Sequence, residues 1–196
     1  MKKYLQYGLL SLGLLCISSA WADSLVSEQF AAQPFTAIDI SGGINVQISS
    51  GGQAYSMQLL GDKESIGQVY AAIKSGVLYV STKTSFAPTE KNQLVAKITV
   101  PFLNQLRYTG VGSVTAVNLT APLNVAVNGN GVVTLLGDKV DLRNLIVAGE
   151  SNVNILGIDS SLLNVQDAGN GKVNLGGTMV LQNLSYTGRG PLSIYW

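Results

Sequence analysis

The chain has 196 residues, a formal charge of +1, 46% hydrophobic residues and only 12% charged ones, which excludes a disordered charged tail and a nucleic-acid-binding basic surface. Histidine is absent and Cys16 is the only cysteine, so Ser-His-Asp and Cys-His catalysis, histidine zinc sites and a disulfide framework are excluded as well, and no cofactor or metal is expected. Twenty-two glycines against five prolines point to tight turns between short apolar runs.

Residues 1–22 read as an export signal. Lys2 and Lys3 form a positive start, Leu9 to Ile17 is an apolar stretch too short to span a bilayer, and Ala20-Trp21-Ala22 supplies small residues for cleavage after Ala22. Lipidation at Cys16 is the alternative, but Leu15 is bulky where a lipobox needs a small residue. An uncleaved anchor is the third possibility. Cleavage leaves a mature chain from Asp23 with net charge −1, no cysteine and no transmembrane segment, expected in the periplasm or at the cell surface, or secreted.

Residues 23–34 read as a lead-in and 35–196 as a single domain. Ile38-Asp39-Ile40 and the run from Ile44 to Ile48 alternate across Gly42-Gly43, as half-buried strands do. Met57 to Leu60 reads as a strand. Asp62 then caps a predicted helix with apolar Ile66, Val69, Tyr70 and Ile73 on one face and Gly76 as its stop. Val77 to Ser81 and Leu94 to Val100 are further strands, joined by a polar loop from Lys83 to Asn92.

From residue 100 onward the chain is periodic. Turn glycines stand at Gly110, Gly129, Gly149, Gly169 and Gly188, and asparagines at Asn104, Asn124, Asn144, Asn164 and Asn183, with spacings of 19 or 20. Aliphatic columns accompany them, such as Leu106, Val125, Leu145, Val165 and Leu184, or Val114, Val133, Val153, Val173 and Leu192. The expected fold is all-β: a parallel β-helix of about five rungs of 19–20 residues, right-handed by the general crossover preference, with an N-terminal β-rich segment and one short helix capping the open top. Stacked asparagines would hydrogen-bond from rung to rung.

Gly43-Ile44-Asn45 stands inside F-T-A-I-D-I-S-G-G-I-N-V-Q-I, from Phe35 to Ile48. Leu60-Gly61-Asp62, Gly76 to Val80 and the later glycine turns follow in order. Together they resemble the head GIN domain family, exported bacterial proteins labelled as auto-transporter adhesins. The resemblance covers essentially the whole mature chain and implies a β-helical fold and an exported location. It implies no active-site motif, and no membrane-barrel translocator follows in this sequence.

Few side chains here carry chemistry. Polysaccharide lyases and hydrolases on β-helices need clustered carboxylates with a nearby cation. The candidates are Asp138, Asp141 and Asp159, near Lys139 and Arg143, though solvated turn acids are the plainer reading. Asp167 shares a column with Tyr108, Val127, Val147 and Tyr186, which is expected to face outward or lie at a strand edge. After each turn glycine come Val111, Asn130, Glu150, Asn170 and Arg189, a polar row of mixed charge that is a candidate binding ridge or simply solvated turns. Tyr108 and Tyr186 are candidates for stacking on sugars. The last strand, Leu192 to Trp196, is expected to cover the lower end of the coil and to permit weak self-association. The leading expectation is a non-catalytic interaction module of the bacterial envelope, adhesin-like, with a glycan or protein partner. A carbohydrate-active enzyme and a self-associating structural protein are the alternatives.

Overall fold

The computed structural model describes residues 26–31, 33–83 and 94–196. The expected leader over 1–22, with Cys16 and the cleavage site after Ala22, lies outside the described residues, and so does the loop from residue 84 to 93. In chain order the elements are β1 (Val26–Ala31), β2 (Ala37–Gly42), β3 (Asn45–Ser50), β4 (Ser56–Gly61), α1 (Lys63–Ile66), β5 (Val69–Lys74), β6 (Val77–Thr82) and β7 (Val95–Val100). There follow β8 (Gln105–Gly110), β9 (Ser113–Val117), β10 (Leu123–Gly129), β11 (Val132–Val140), β12 (Leu142–Gly149), β13 (Asn152–Asp167), β14 (Val173–Tyr186) and β15 (Leu192–Tyr195).

All fifteen strands belong to one mixed sheet, and this corrects the expected parallel β-helix of about five rungs. Three pairings are antiparallel: β1 with β4, β4 with β7, and β5 with β6. The parallel pairings form two runs. One passes from β7 through β3, β9 and β11 to the start of β13, and the other from β6 through β2, β8, β10 and β12 to its end. β13 is 16 residues long and belongs to both runs, which makes one sheet of them. The period of the sequence reports only that segments about twenty residues apart lie side by side, as Asn124, Asn144, Asn164 and Asn183 do. It is silent about the antiparallel strands of the irregular N-terminal half.

Alternation within the strands puts one aliphatic set inside. Ile38, Ile40, Leu106, Tyr108, Val125, Val127, Leu145 and Val147 are all buried, and they join Val46, Ile48, Val114, Val133, Leu135, Val153 and Ile155 in a single core cluster. Neighbouring strands bring their turns so close that side chains are excluded at some of them. Gly149 has a φ of +76°, and a Cβ there would lie 2.5 Å from the Gly129 carbonyl oxygen.

The predicted helix is also corrected. Asp62 does cap it: its carboxylate accepts from the Ser65 backbone N–H at 2.8 Å and from the Ser65 hydroxyl at 2.5 Å. These bonds hold the Asp62 carboxyl below the usual range. The helix ends after one turn, at Ile66, and Val69–Lys74 becomes strand β5. The reason lies in Ser75 and Gly76, whose φ angles of 50° and 75° make a two-residue hairpin turn that sets Lys74 opposite Val77. Val69, Ala71 and Ile73 then pack on the core with strand periodicity. No helix among the described residues is long and apolar enough to cross a membrane.

Candidate functional site

The turns after β8, β10, β12, β13 and β14 stack along one edge of the sheet. Each apical residue donates its backbone N–H to a glycine carbonyl of the preceding turn. Asn130 bonds Gly110 at 2.8 Å, Glu150 bonds Gly129 at 2.8 Å, Asn170 bonds Gly149 at 2.7 Å and Arg189 bonds Gly169 at 3.0 Å. Val111 begins the series on Gly42 at 3.2 Å. The four polar candidates Asn130, Glu150, Asn170 and Arg189 are therefore exposed side by side, one per strand. Because the turn backbone is already satisfied, their side chains remain available to solvent or a ligand.

A shallow trough of about 590 Å³ runs beside this row. Its polar lining comes from Ser41, Thr82, Thr109, Asn128, Asn130 and Glu150, with the turn glycines as its floor. Thr82 closes one end, accepting the Gly43 N–H at 2.8 Å. Glu150 is the only charged group in the lining. A second depression, of about 450 Å³, lies over β12, β13 and β14. Along it Asn164 donates to the Asn144 side-chain oxygen at 3.2 Å and Asn183 to that of Asn164 at 2.6 Å. Leu145, Ile146, Val165, Gln166, Leu184 and Ser185 complete its surface.

The column of Tyr108, Val127, Val147 and Asp167 is buried, against the expectation that it faces outward. Register explains this, because Tyr108 and Val127 are paired on the same side as the aliphatic Leu106 and Val125. Tyr108 consequently presents no ring to solvent; its hydroxyl donates to the Gly112 carbonyl at 2.8 Å, and burial pushes it up to about 12. Tyr186 makes the equivalent bond to the Gly190 carbonyl but is half exposed. Asp167 is fully buried. One of its oxygens accepts from the Gly169 N–H at 2.9 Å and the other has no hydrogen-bond partner. An acid two residues before a turn glycine is an Asx-turn pattern, the signal by which its inward role could have been found.

The three candidate catalytic acids do not form a shared site with a described depression. Asp138 and Asp159 are exposed; Asp159 pairs with Thr178 on its β14 side, while on the other side Val140 pairs with Ile158, so that Asp141 and Asp159 are the next residues of neighbouring strands. Asp141 is tied to Arg143 at 2.7 Å. None of the three lines either depression. Among the described residues no group of three or more potential metal-ligating side chains occurs.

Residues 34–195 match a family described as "Putative auto-transporter adhesin, head GIN domain". The chain is similar to a crystal structure described as a "putative adhesin" from Bacteroides fragilis, with a TM-score of 0.63 and 19% identity over 89% of this chain and 97% of that one. It is also similar to a "Putative lipid binding protein" from Parabacteroides distasonis, with a TM-score of 0.50 and 14% identity over 87% of this chain and 96% of that one. At these identities the likeness concerns the fold. No curated protein matches the sequence.

Proposed function

This chain belongs to the head GIN domain family, and from that premise we propose that it is an exported, non-catalytic, adhesin-like module that binds a neutral glycan of the cell envelope or its surroundings along the glycine-turn trough. The observation that carries the reading is the stacked row itself. Where that row borders the trough, the hydroxyls of Ser41 and Thr109, paired across β2 and β8, and the amide of Asn128 on β10 line it strand by strand at a spacing of ~4.8 Å, about the length of one sugar residue in an extended chain. A lining of Ser41, Thr109, Asn128 and Asn130 offers paired donors and acceptors suited to sugar hydroxyls. Glu150 beside them, with no cation in the lining, disfavours a polyanion. Residues 35–196 act as one domain in this reading, supported by a core cluster that runs from Phe35 to Met179. Export rests on the leader at 1–22 and the family's character.

The reading is tested with the mature chain from Asp23 on a glycan array, alongside a pull-down from envelope extract. A neutral glycan should be retained, and N130A combined with E150A should weaken its binding at least tenfold without shifting the melting temperature. D138N should leave binding unchanged. Silence on the array, or binding indifferent to the trough substitutions, would overturn the glycan reading. Cleavage of the glycan abolished by D138N or D159N would restore the enzyme alternative.

A further inference from the structure

On the premise that the trough binds a neutral glycan, we propose that Tyr70 and Tyr79, on the outer face of β5 and β6, form a stacking platform that extends it, and that the ligand is a β-1,4-linked chain of equatorially substituted pyranoses. Register joins the two surfaces. Ser41 of the trough pairs with Thr109 on one side and with Ser81 on the other, and Ser81 pairs with Tyr70. Paired residues share a face of a sheet, so one row runs from Asn128 and Thr109 through the two serines to Tyr70, on the last strand of this run. In the adjacent row Tyr79 pairs with Ala72 and with Asp39, and Asp39 pairs with Arg107.

Both rings are open to a ligand. Tyr70 is 55% exposed and Tyr79 38%, and among the described residues neither ring packs against another aromatic ring. The outward direction of Tyr70 is a consequence of the strand at Val69–Lys74. In a helix it would share a face with Ile66, Val69 and Ile73, whereas in β5 it points away from Val69, Ala71 and Ile73, which pack on the core. Tyr79 lies between the buried Leu78 and Val80 and so points outward as well. Ser81 and Ala72, the residues opposite the two tyrosines, are small and leave the rings uncovered. As diagonal neighbours about 7–8 Å apart at the backbone, the tyrosines can contact the same or consecutive sugar residues. The terminal aromatics are a different case. Tyr195 and Trp196 are exposed rather than covering the lower end as the sequence suggested, and Tyr195 pairs with Gly176 in the other parallel run.

The surroundings of the rings identify the ligand. Asp39 and Arg107 adjoin Tyr79 in its row, and their charges cancel. The one ion pair among the described residues lies elsewhere, so the carboxylate can accept from hydroxyl groups and the guanidinium can donate to them. Rings flanked by serine, alanine, a carboxylate and a guanidinium do not make the aliphatic surface of a protein contact. They suit a molecule that is apolar on its faces and polar around its rim. A pyranose with equatorial substituents is such a molecule, because axial C–H bonds cover both faces and pack on the π-face of tyrosine. The β-1,4 linkage keeps such a chain extended, so that it advances about one residue per strand across the ladder spacing of ~4.8 Å. From Tyr70 on β5 to Asn128 on β10 is ~19 Å, room for about four sugar residues. An α-1,4 chain coils and cannot keep that step.

Isothermal titration of the mature chain with cello- and chito-oligosaccharides of two to six residues tests this. Affinity for at least one ladder should rise up to about four residues and then level off, and malto-oligosaccharides of the same lengths should bind about tenfold more weakly or worse. Tyr70→Ala and Tyr79→Ala should each weaken tetrasaccharide binding about tenfold at an unchanged melting temperature. Tyr70→Phe, which keeps the ring, should bind like the wild type. Tyr70→Thr retains a strand-forming residue and takes the place of the alanine variant if that one folds poorly. Binding lost in N130A combined with E150A but kept in both tyrosine variants overturns the platform and leaves the trough reading standing. Loss confined to the tyrosine variants keeps the platform and removes the trough reading. Silence with both β-1,4 ladders, or equal binding of the malto-oligosaccharides, overturns the proposal. So does an envelope protein whose capture depends on Tyr70 while oligosaccharide binding does not.

Discussion

Tyr108 shows how one buried hydroxyl ties stability to pH. Its side chain fills the core beneath the glycine turns, and burial favours the neutral phenol, raising the hydroxyl to about 12. In the unfolded chain a tyrosine titrates near 10. The folded state therefore holds this proton more tightly. The resulting contribution is complete below pH ~10 and is lost as pH rises through about 12, amounting to about 2 kcal/mol. Urea unfolding at pH ~9 and ~11.5 should show that loss in the wild type and a smaller one in Tyr108→Phe. At neutral pH the same variant should be less stable by about 1 kcal/mol, since the Gly112 carbonyl loses its donor. Equal alkaline losses in both proteins would contradict the assignment. Asp167 is placed by a local hydrogen bond: one of its side-chain oxygens accepts from the Gly169 N–H and so fixes the turn. Composition along a column cannot reveal this, since the same position accepts valine, tyrosine or aspartate.

The segment after Asp62 is where helix and strand compete. Ile66, Val69, Tyr70 and Ile73 fit a helical face, but Val69, Ala71 and Ile73 fit a strand face equally well. Short apolar runs carry both periods, and β-branched residues favour the strand. The hairpin turn at Ser75 and Gly76 decides between them, since it allows β5 to pair with β6 from Lys74 to Val69. Ser75 bears a strained φ of 50°, which asparagine adopts more readily. Ser75→Asn should accordingly stabilise the protein by about 0.5 kcal/mol, measured as a higher urea midpoint with an unchanged slope. A lower midpoint would show that the serine side chain has some other role in the turn.

Across the whole molecule, charge contributes little to stability. The single ion pair among the described residues, Arg143 with Asp141, is partly exposed and worth at most about 1 kcal/mol. Apolar columns and backbone ladders hold the two parallel runs together, and neither is screened by salt. The melting temperature should change by no more than about 3 °C between 0.05 and 0.5 M sodium chloride. A larger fall would point to electrostatic contacts beyond the described pair.

The sequence by itself determined which residues lie side by side in the C-terminal half. Glycine and asparagine recur at the spacing of stacked segments, and close backbone approach at the turns requires the glycines. It also determined the polar row from Asn130 to Arg189, because those residues hold a fixed offset from the turns. Only the tertiary structure decided that one long strand joins both runs into a single mixed sheet, and that three antiparallel pairings complete it. Strand direction is set by hairpins and long-range pairing rather than by local period. Which face of the Tyr108 column is buried was likewise decided in three dimensions, because inside and outside exist only once the strands close around a core.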